Sequence, residues 1–501
     1  MTEPKTVGFI DIGTNSVHLL VVRFYDGTLG TEIARDREVL RIGRSLYSEG
    51  IIDEDAINKC GIIVKKFTAY AKKHGASEVI AYATCAAREA ENSDELIDAI
   101  KTEGLEVRII PGEEEARLIS LGVLGENGPR EKTLLIDIGG GSTEISIRKG
   151  RETLFIDSLP LGAVRFAYGF PYDCKKGLTY EEYSSYQHEV DLCAYRAMRR
   201  IKEIGFDRAV GSSGTFETLC DLCPSKERKG TLALSALSER MESMMPMDIA
   251  ERSKIPKLSE ARADIIVAGG AIAEELMKGL GINEIEISHF GLKEGMMVDY
   301  RVNHGLCDID VRESAIAELG FKCGYDRAHA MTVRRCARKI ALRLNELGVC
   351  SLDAHMIQML EYASQLHDIG EVFGYGKHHV MSHDILMNSS LVGFDIGEIQ
   401  AMATIVRYHH KKMPSADDSA FRRLDERTSL ALRQCILILR MADAMDRHRM
   451  QLETDFTVEA VKGNTIKFTL ISEQDVSMER WKLEESATDF KILFDRKLSV
   501  A

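Results

Sequence analysis

No apolar run in these 501 residues reaches the roughly 18 that a membrane-spanning helix needs. The opening "MTEPKTVGFIDIG" shows no signal-peptide pattern either. Both absences point to a cytoplasmic protein without a membrane partner. Low-complexity tracts are missing, and a composition 45% hydrophobic and 29% charged is that of a chain that folds around real cores. The length suggests about three or four domains. There is no excess of positive charge: 65 lysines and arginines face 78 acids, for a net charge of −13. Such a molecule repels nucleic acid, so an anionic substrate has to be met in a locally basic cleft. Candidate basic stretches are "RAMRRIKEIGFDR", Arg196 to Arg208, and "SKERKG", Ser225 to Gly230. Eleven cysteines in a chain this long do not form a disulfide framework. Cys220 and Cys223 have CxxC spacing, but no second CxxC or HxxxH completes a zinc set, which leaves them a structural or incidental role.

The first half alternates strand-like and helix-like stretches. "TVGFIDIG" and "VHLLVVRFY" read as strands joined by a tight turn, and "DEDAINKCGIIVKKFTAYAKKHG" as an amphipathic helix before the strand "EVIAYAT". "SDELIDAIKTEG" reads as a helix with a Ser93 N-cap and a Gly104 stop, followed by the strand "EVRII". A second strand–turn–strand starts at Thr133. "RAVGSSGTFETLC" follows as strand, loop and helix, and "ADIIVAGGAIAEELMKGLG" as helix or helix pair, although its "AGG" (Ala268 to Gly270) also reads as a loop just after an apolar strand. From about Ser314 four long segments carry helical spacing. Beyond Leu452 a hairpin around Gly463-Asn464 is expected, with "TDFKILFDRKLSV" closing the chain as a strand. The implied domains are residues 1–125, 126–303, 310–450 and 451–501, with "RVNHGLCDID" as the junction between the halves.

The two α/β units read as a duplication. Setting Asp11 on Asp137 also aligns Gly13 with Gly139 and Ser16 with Ser142, each within strand–turn–strand. Two related lobes would place both Asp-Gly turns around one cleft. Glycine lets backbone N–H groups approach an anion and take up φ > 0, which suits phosphate oxygens. Ser16, Ser142 and Thr143 add hydroxyl donors. Asp11 and Asp137 would repel phosphate, and they make sense with a hard cation such as Mg²⁺ held between them and the phosphates through waters. A Rossmann or Walker loop leads from strand into helix, whereas here a strand follows, and no G-x-x-x-x-G-K-[ST] occurs. "GSSGT", Gly211 to Thr215, does join strand to helix, where amides and the helix dipole attract anions. Glu115 in "PGEEEARLIS" and Glu144 are candidate bases for a positioned water.

"DIGTNS", "ATCAAREA", "GEEEARLIS", "DIGGGSTE", "GSSGT" and "FGLKEGMM" occur in one order along the chain. In this the sequence resembles the exopolyphosphatase/guanosine pentaphosphate phosphatase (Ppx/GppA) family over nearly its whole length. The resemblance implies duplicated actin-like (ribonuclease H-like) α/β lobes, an all-α domain and a small α+β tail. It implies Mg²⁺-dependent removal of terminal orthophosphate from inorganic polyphosphate or from guanosine pentaphosphate, and a homodimer. By motif match Glu115 would activate water, while Glu144 and Asp137 would support metal and water. Asp11, Gly13, Thr14, Asn15, Ser16, Arg88, Gly139, Gly140, Gly141, Ser142, Thr143, Gly211, Ser212, Ser213, Gly214 and Thr215 would hold phosphate, with Asp11, Asp137 and Glu144 around Mg²⁺. Thr14 stands where the family commonly has serine.

In the helical half, His329, His367-Asp368 and Asp443 follow the order H…HD…D of the HD phosphohydrolases, which bind a divalent metal with that set. Imidazole with carboxylate suits Mn²⁺, Fe²⁺ or Zn²⁺. Histidines 378, 379, 409 and 410 could supply a second ion, though Met381 stands where the family often has histidine. Three readings stay open besides exopolyphosphatase. They are a guanosine pentaphosphate 5′-phosphatase, a polyphosphate or nucleotide sensor, and a second phosphohydrolase at the HD-type site.

Overall fold

The computed structural model describes residues 4–24, 30–224, 230–304, 311–374, 376–389, 391, 393–410, 413–415, 418, 420–422, 424–447, 449 and 455–501. "SKERKG" and the junction "RVNHGLCDID" therefore fall largely outside the described residues. The chain divides into two compact units, residues 1–314 and 315–501. Among the described residues no helix is long and apolar enough to cross a membrane.

The first unit contains two sheets. One is built from β1 (Lys5–Ile12), β2 (Ser16–Phe24), β3 (Thr31–Val39), β4 (Glu78–Ala83) and β5 (Val107–Ile109), in the order β3-β2-β1-β4-β5. The other uses β6 (Thr133–Ile138), β7 (Thr143–Lys149), β8 (Glu152–Leu159), β9 (Arg208–Ser212), β10 (Thr231–Ala233) and β11 (Glu284–Ile287), in the order β10-β11-β9-β6-β7-β8. In each an antiparallel meander of three strands continues into parallel strands on the far side of the first strand. The duplication inferred from the Asp-Gly turns is thus a duplication of topology, with β10 added to the second copy.

β6 is buried along its whole length because helices cover both faces of its sheet, hence its unbroken apolar run. Ile136, Ile138, Ile145 and Ile147 join Tyr186 and Val190 of the helix Tyr180–Ile204 and Ile272 of the helix Ile266–Leu280 in one core. In the first copy Ile10, Ile12, Leu19 and Val21 pack with Cys60, Val64 and Phe67 of the helix Glu54–Lys73. The helices Gly112–Leu124 and Leu292–Asn303 approach closely. A Cβ on Gly295 would sit 1.8 Å from the Leu118 carbonyl oxygen, and one on Gly122 would sit 2.3 Å from that of Gly291.

Several local expectations change. Ser93 is the first helical residue, not the cap: Asn92 occupies that position, and the Ser93 hydroxyl donates to the Ala87 carbonyl. Ala268–Gly270 lie inside the helix Ile266–Leu280, where small residues let a neighbouring helix approach, with Gly270 against the Met241 sulfur. β9 passes into the helix Ser213–Leu222 with no intervening loop. All of "TDFKILF" is helix, Ala487–Phe494, burying Phe490 and Phe494; only β14 (Lys497–Val500) is strand. The second unit otherwise includes the helices Arg327–Glu346, Ala354–Leu366, His378–Met387, Ile396–Tyr408, Glu426–Ala444 and Ser477–Glu484, and a sheet of β12 (Asp455–Val461), β13 (Thr465–Ile471) and β14. The hairpin turn holds Gly463 and Asn464 at φ of 83° and 58°, the left-handed region that this turn chemistry serves.

Candidate active site

The two turns have the same construction. Gly13 N–H donates to the Ser16 carbonyl at 3.0 Å, and Gly139 N–H donates to the Ser142 carbonyl at 2.9 Å. A Cβ would stand 3.2 Å from the acceptor in the first turn and 3.1 Å in the second. These glycines serve close approach. The expected φ > 0 is not found, because Gly13, Gly139, Gly140 and Gly141 all lie outside the left-handed region. The turns also face each other: a Cβ on Gly140 would meet the Thr14 Cβ at 3.0 Å, and one on Gly141 the Thr14 hydroxyl at 2.7 Å.

Between them lies a cleft of about 200 Å³. Asp11, Gly13, Thr14, Asn15 and Ser16 line one side; Asp137, Gly139, Gly140, Gly141, Ser142 and Glu144 line the other. Glu115 reaches in from the first turn of the helix Gly112–Leu124, and Ser213, Gly214 and Thr215 from the start of the helix that follows β9. Ser213 takes φ of 79°, an unusual conformation for serine, and its hydroxyl donates to the Ile138 carbonyl.

Four expected phosphate ligands do not line the cleft. Thr143 points into the core because side chains alternate along β7, and its hydroxyl donates to the Leu161 carbonyl at 2.6 Å. Gly211 packs on the Phe216 ring, and Ser212 donates to Asp137 Oδ2 at 2.5 Å. Arg88 instead holds Glu115, its Nη1 lying 3.1 Å from Oε2.

The carboxylates are nearly removed from water: Glu115 is 7% exposed, Asp137 6% and Glu144 3%. Asp137 and Glu144 are directly opposite across β6 and β7. Burial pushes Asp11 up to about 6, with Asp137 adding to the rise and Lys293 opposing it. Burial likewise lifts Asp137 to about 6 against the hydrogen bond from Ser212. Glu144 is pushed up to about 7, by burial and then by Asp137, although Ser142 and Ser158 donate to it. Glu115 is held well above the usual carboxylate range, by burial first and the Glu144 charge second. Asp11 Oδ1 and Asn15 Oδ1 are buried without hydrogen-bond partners.

Such a set favours any cation that enters, and Asp11, Asp137 and Glu144 could hold one. No three of their oxygens converge within 4.8 Å, a spacing found among the described residues only in the second unit. The fit is to a cation that keeps part of its water shell, as Mg²⁺ does.

Positive charge comes from residues the sequence reading missed: Arg37 of β3, Arg262, and Lys293 of the helix Leu292–Asn303 all line the cleft. They surround His18, whose pKa is held well below its usual value by burial first and then by Lys293, Arg37 and Arg262. Arg262 lies on Gly214, where a Cβ would come 1.6 Å from its Nη2. Lys293 alone had a signal, within the "FGLKEG" run. The stretch Arg196–Arg208 is not in the cleft: Arg199 and Arg200 pair with Glu203 on an exposed helix face, and Arg208 pairs with Glu286. Cys220 and Cys223 are free thiols.

In the second unit His329, His367, Asp368 and Asp443 do converge. His329 Nε2 lies 3.4 Å from Asp443 Oδ1, and His367 Nε2 lies 3.3 Å from Asp368 Oδ2.

Paired lobes closing on a cleft with matched Asp-Gly turns and a buried glutamate define an actin-like phosphoanhydride hydrolase. Residues 20–304 match the model of the Ppx/GppA phosphatase family, and residues 311–489 match that of Ppx/GppA phosphatase, domain III. The chain belongs to the Ppx/GppA phosphatase family. It is 32% identical over 301 residues to exopolyphosphatase 1 of Mycobacterium bovis, covering 58% of this chain and 87% of that protein. It is 26% identical over 433 residues to guanosine-5'-triphosphate,3'-diphosphate pyrophosphatase of Photobacterium profundum, covering 86% of this chain and 84% of that one. Among solved structures, an exopolyphosphatase from Cytophaga hutchinsonii superposes with a TM-score of 0.55 at 27% identity, over 60% of this chain and 98% of that one. The Aquifex aeolicus family member gives 0.50 at 26%, over 60% and 99%.

Proposed function

We propose that the cleft hydrolyses the terminal phosphoanhydride of inorganic polyphosphate, with Glu115 as the base that takes a proton from the attacking water. The observation that carries this reading is the placement of Glu115. It is buried, braced by Arg88 and raised in pKa, within the cleft that both phosphate-type turns line. Raising the pKa of a carboxylate makes it a stronger base toward the attacking water. Mg²⁺ held by Asp11, Asp137 and Glu144, partly through water, would offset negative charge on the terminal phosphates. Backbone amides of the two turns and the hydroxyls of Thr14, Ser16 and Ser142 would orient them. Arg37, Arg262 and Lys293 supply the positive lining that a polyanion needs in a chain of net charge −13.

Polyphosphate ranks ahead of guanosine pentaphosphate because Arg37, Arg262 and Lys293 add three cations to the cleft lining. The relative from Photobacterium, which matches more of this chain, favours the second substrate as the alternative. Phosphate release from polyphosphate with Mg²⁺ should fall about 10²- to 10⁴-fold in kcat in Glu115→Gln, with KM little changed. Release that persists in this variant, or is absent from the wild type, overturns the proposal. Side-by-side kcat/KM values for the two substrates decide between them. Sedimentation velocity tests the homodimer implied by the family.

A further inference from the structure

The two phosphate-type turns tie back their carbonyl oxygens by different means. In the first, the Thr14 carbonyl accepts from Gly43 N–H at 3.0 Å, and the Asn15 carbonyl from Leu40 and Arg41 N–H at 3.1 and 2.9 Å. In the second, the Gly139 carbonyl accepts from Ala163 N–H at 3.0 Å, and the Gly140 carbonyl from Val164 and Arg165 N–H at 2.8 and 3.1 Å. The backbone anchors end there. The Gly141 carbonyl, counterpart of Asn15, is held by a side chain, with Arg165 Nε donating at 2.7 Å. A trans peptide sets each N–H opposite the preceding C=O. Anchoring these three carbonyls therefore turns the amides of Gly140, Gly141 and Ser142 the other way. Among the described residues none of those amides has an acceptor, and all three residues line the cleft.

Arg165 is itself fixed from the opposite copy. It lies in the first turn of the helix Ala163–Gly169, and its Nη2 is 2.7 and 2.6 Å from the two oxygens of Glu89, the last residue of the helix Cys85–Glu89. The guanidinium carbon sits 4.5 Å from the centre of the Tyr47 ring. Donors at Nε and Nη2 thus serve acceptors from both copies at once, a planar geometry that a lysine ammonium does not reproduce. Glu89 adjoins Arg88, which holds Glu115. One short helix therefore carries, side by side, the residue that braces the proposed base and the residue that braces Arg165.

We propose that Arg165 is a positioning residue for phosphate: it draws the Gly141 carbonyl back so that the Ser142 amide donates to the bound phosphate, and Glu89 fixes the guanidinium in that role. The first turn needs no such side chain, because Leu40 and Arg41 supply backbone donors at the matching position. The inference rests on the proposed function only in taking the cleft as a phosphate site, whichever phosphoanhydride is cleaved there.

The test is orthophosphate binding to the full chain by titration calorimetry with Mg²⁺ present, beside phosphate release from polyphosphate. Arg165→Lys and Arg165→Ala should each weaken orthophosphate binding about ten-fold, the loss of one hydrogen bond from a charged donor. Glu89→Gln should weaken it about three-fold and add nothing further to Arg165→Ala, since the two residues act as one unit. Guanidinium at millimolar concentration should restore the affinity of Arg165→Ala in a saturable way, and methylammonium should not; a side chain that only supported the fold would show no such rescue. Wild-type affinity in Arg165→Lys with unchanged circular dichroism, additive losses in the double variant, or an Arg165→Ala protein insensitive to guanidinium each overturns the proposal. A wild type that binds orthophosphate but releases none from polyphosphate fails the proposed function and leaves these comparisons intact. Turnover by the wild type with normal binding in the Arg165 variants fails this inference alone.

Discussion

Ser158→Ala isolates the electrostatics of the cleft without touching a residue proposed to contact substrate. Ser158 Oγ donates to Glu144 Oε1 at 2.8 Å, and this bond favours the charged carboxylate. A hydrogen bond to a charged group contributes about 1.5–3 kcal/mol. At about 1.36 kcal/mol per pKa unit this is a shift of about one to two units, and the half-buried setting of Ser158 points to the lower end. Removing it should move Glu144 from about 7 to roughly 8. The acid limb of kcat/KM for phosphate release should follow by about one pH unit. A bound cation lowers both values together and leaves the displacement, so the variant should be about five-fold slower than wild type at the wild-type midpoint and nearly equal about two pH units above it. A deficit of the same size at every pH, or an unmoved limb, would refute the assignment of Glu144 to the ionising centre.

Ser212→Ala should raise Asp137 further above about 6 and increase the Mg²⁺ concentration for half-maximal activity several-fold at pH 7; an unchanged Mg²⁺ titration counts against Asp137 as a metal support. Gly141→Ala should lower activity at least ten-fold and weaken phosphate binding measured by calorimetry, because a Cβ there meets the Tyr47 hydroxyl at 2.3 Å and the Thr14 hydroxyl at 2.7 Å. The raised carboxylates also fix a pH trend. Asp11 and Asp137, near 6 when folded against 3.8, and Glu144, near 7 against 4.5, bind more protons in the native state. Their stabilising contribution is complete below about pH 4 and is lost as pH rises through 6 to 7. In chelator, β6 amides corrected for intrinsic rate should exchange faster at pH 8 than at pH 5, and Mg²⁺ should restore protection at pH 8. The reverse order would contradict the shifts.

The paired turns were legible because Asp-x-Gly followed by serine is local chemistry, and its recurrence exposes the duplicated meander. Glu115 and Glu144 were legible for the same reason, each sitting inside a contiguous motif. Arg37 and Arg262 were not, since a cation delivered to a cleft by a distant strand or loop looks like any surface arginine. The dense cluster Arg196–Arg208 drew attention instead, and Arg199, Arg200 and Arg208 in it pair with neighbouring acids on the same helix or across the sheet. Thr143 shows the limit of motif matching, because adjacent strand residues face opposite sides and only alternate ones reach the cleft. Residues 488–494 failed differently, and of the two readings of Ala268–Gly270 only the helical one holds. Short apolar or small-residue runs carry no period that separates strand from helix, and packing decides.

The pseudo-symmetry of the two sheets is broken at one matched pair. The residue across the strand from Asp137 is Glu144, while the residue across from Asp11 is His18, an imidazole kept uncharged and ringed by cations. The two copies of one turn have thus become electrically unlike: the second pairs two carboxylates, while the first pairs a carboxylate with a neutral ring that cations surround. On the proposed function, the carboxylate pair is where a counter-ion would gather and the cations are where the anion's charge would be offset, a division of labour that identical copies could not supply.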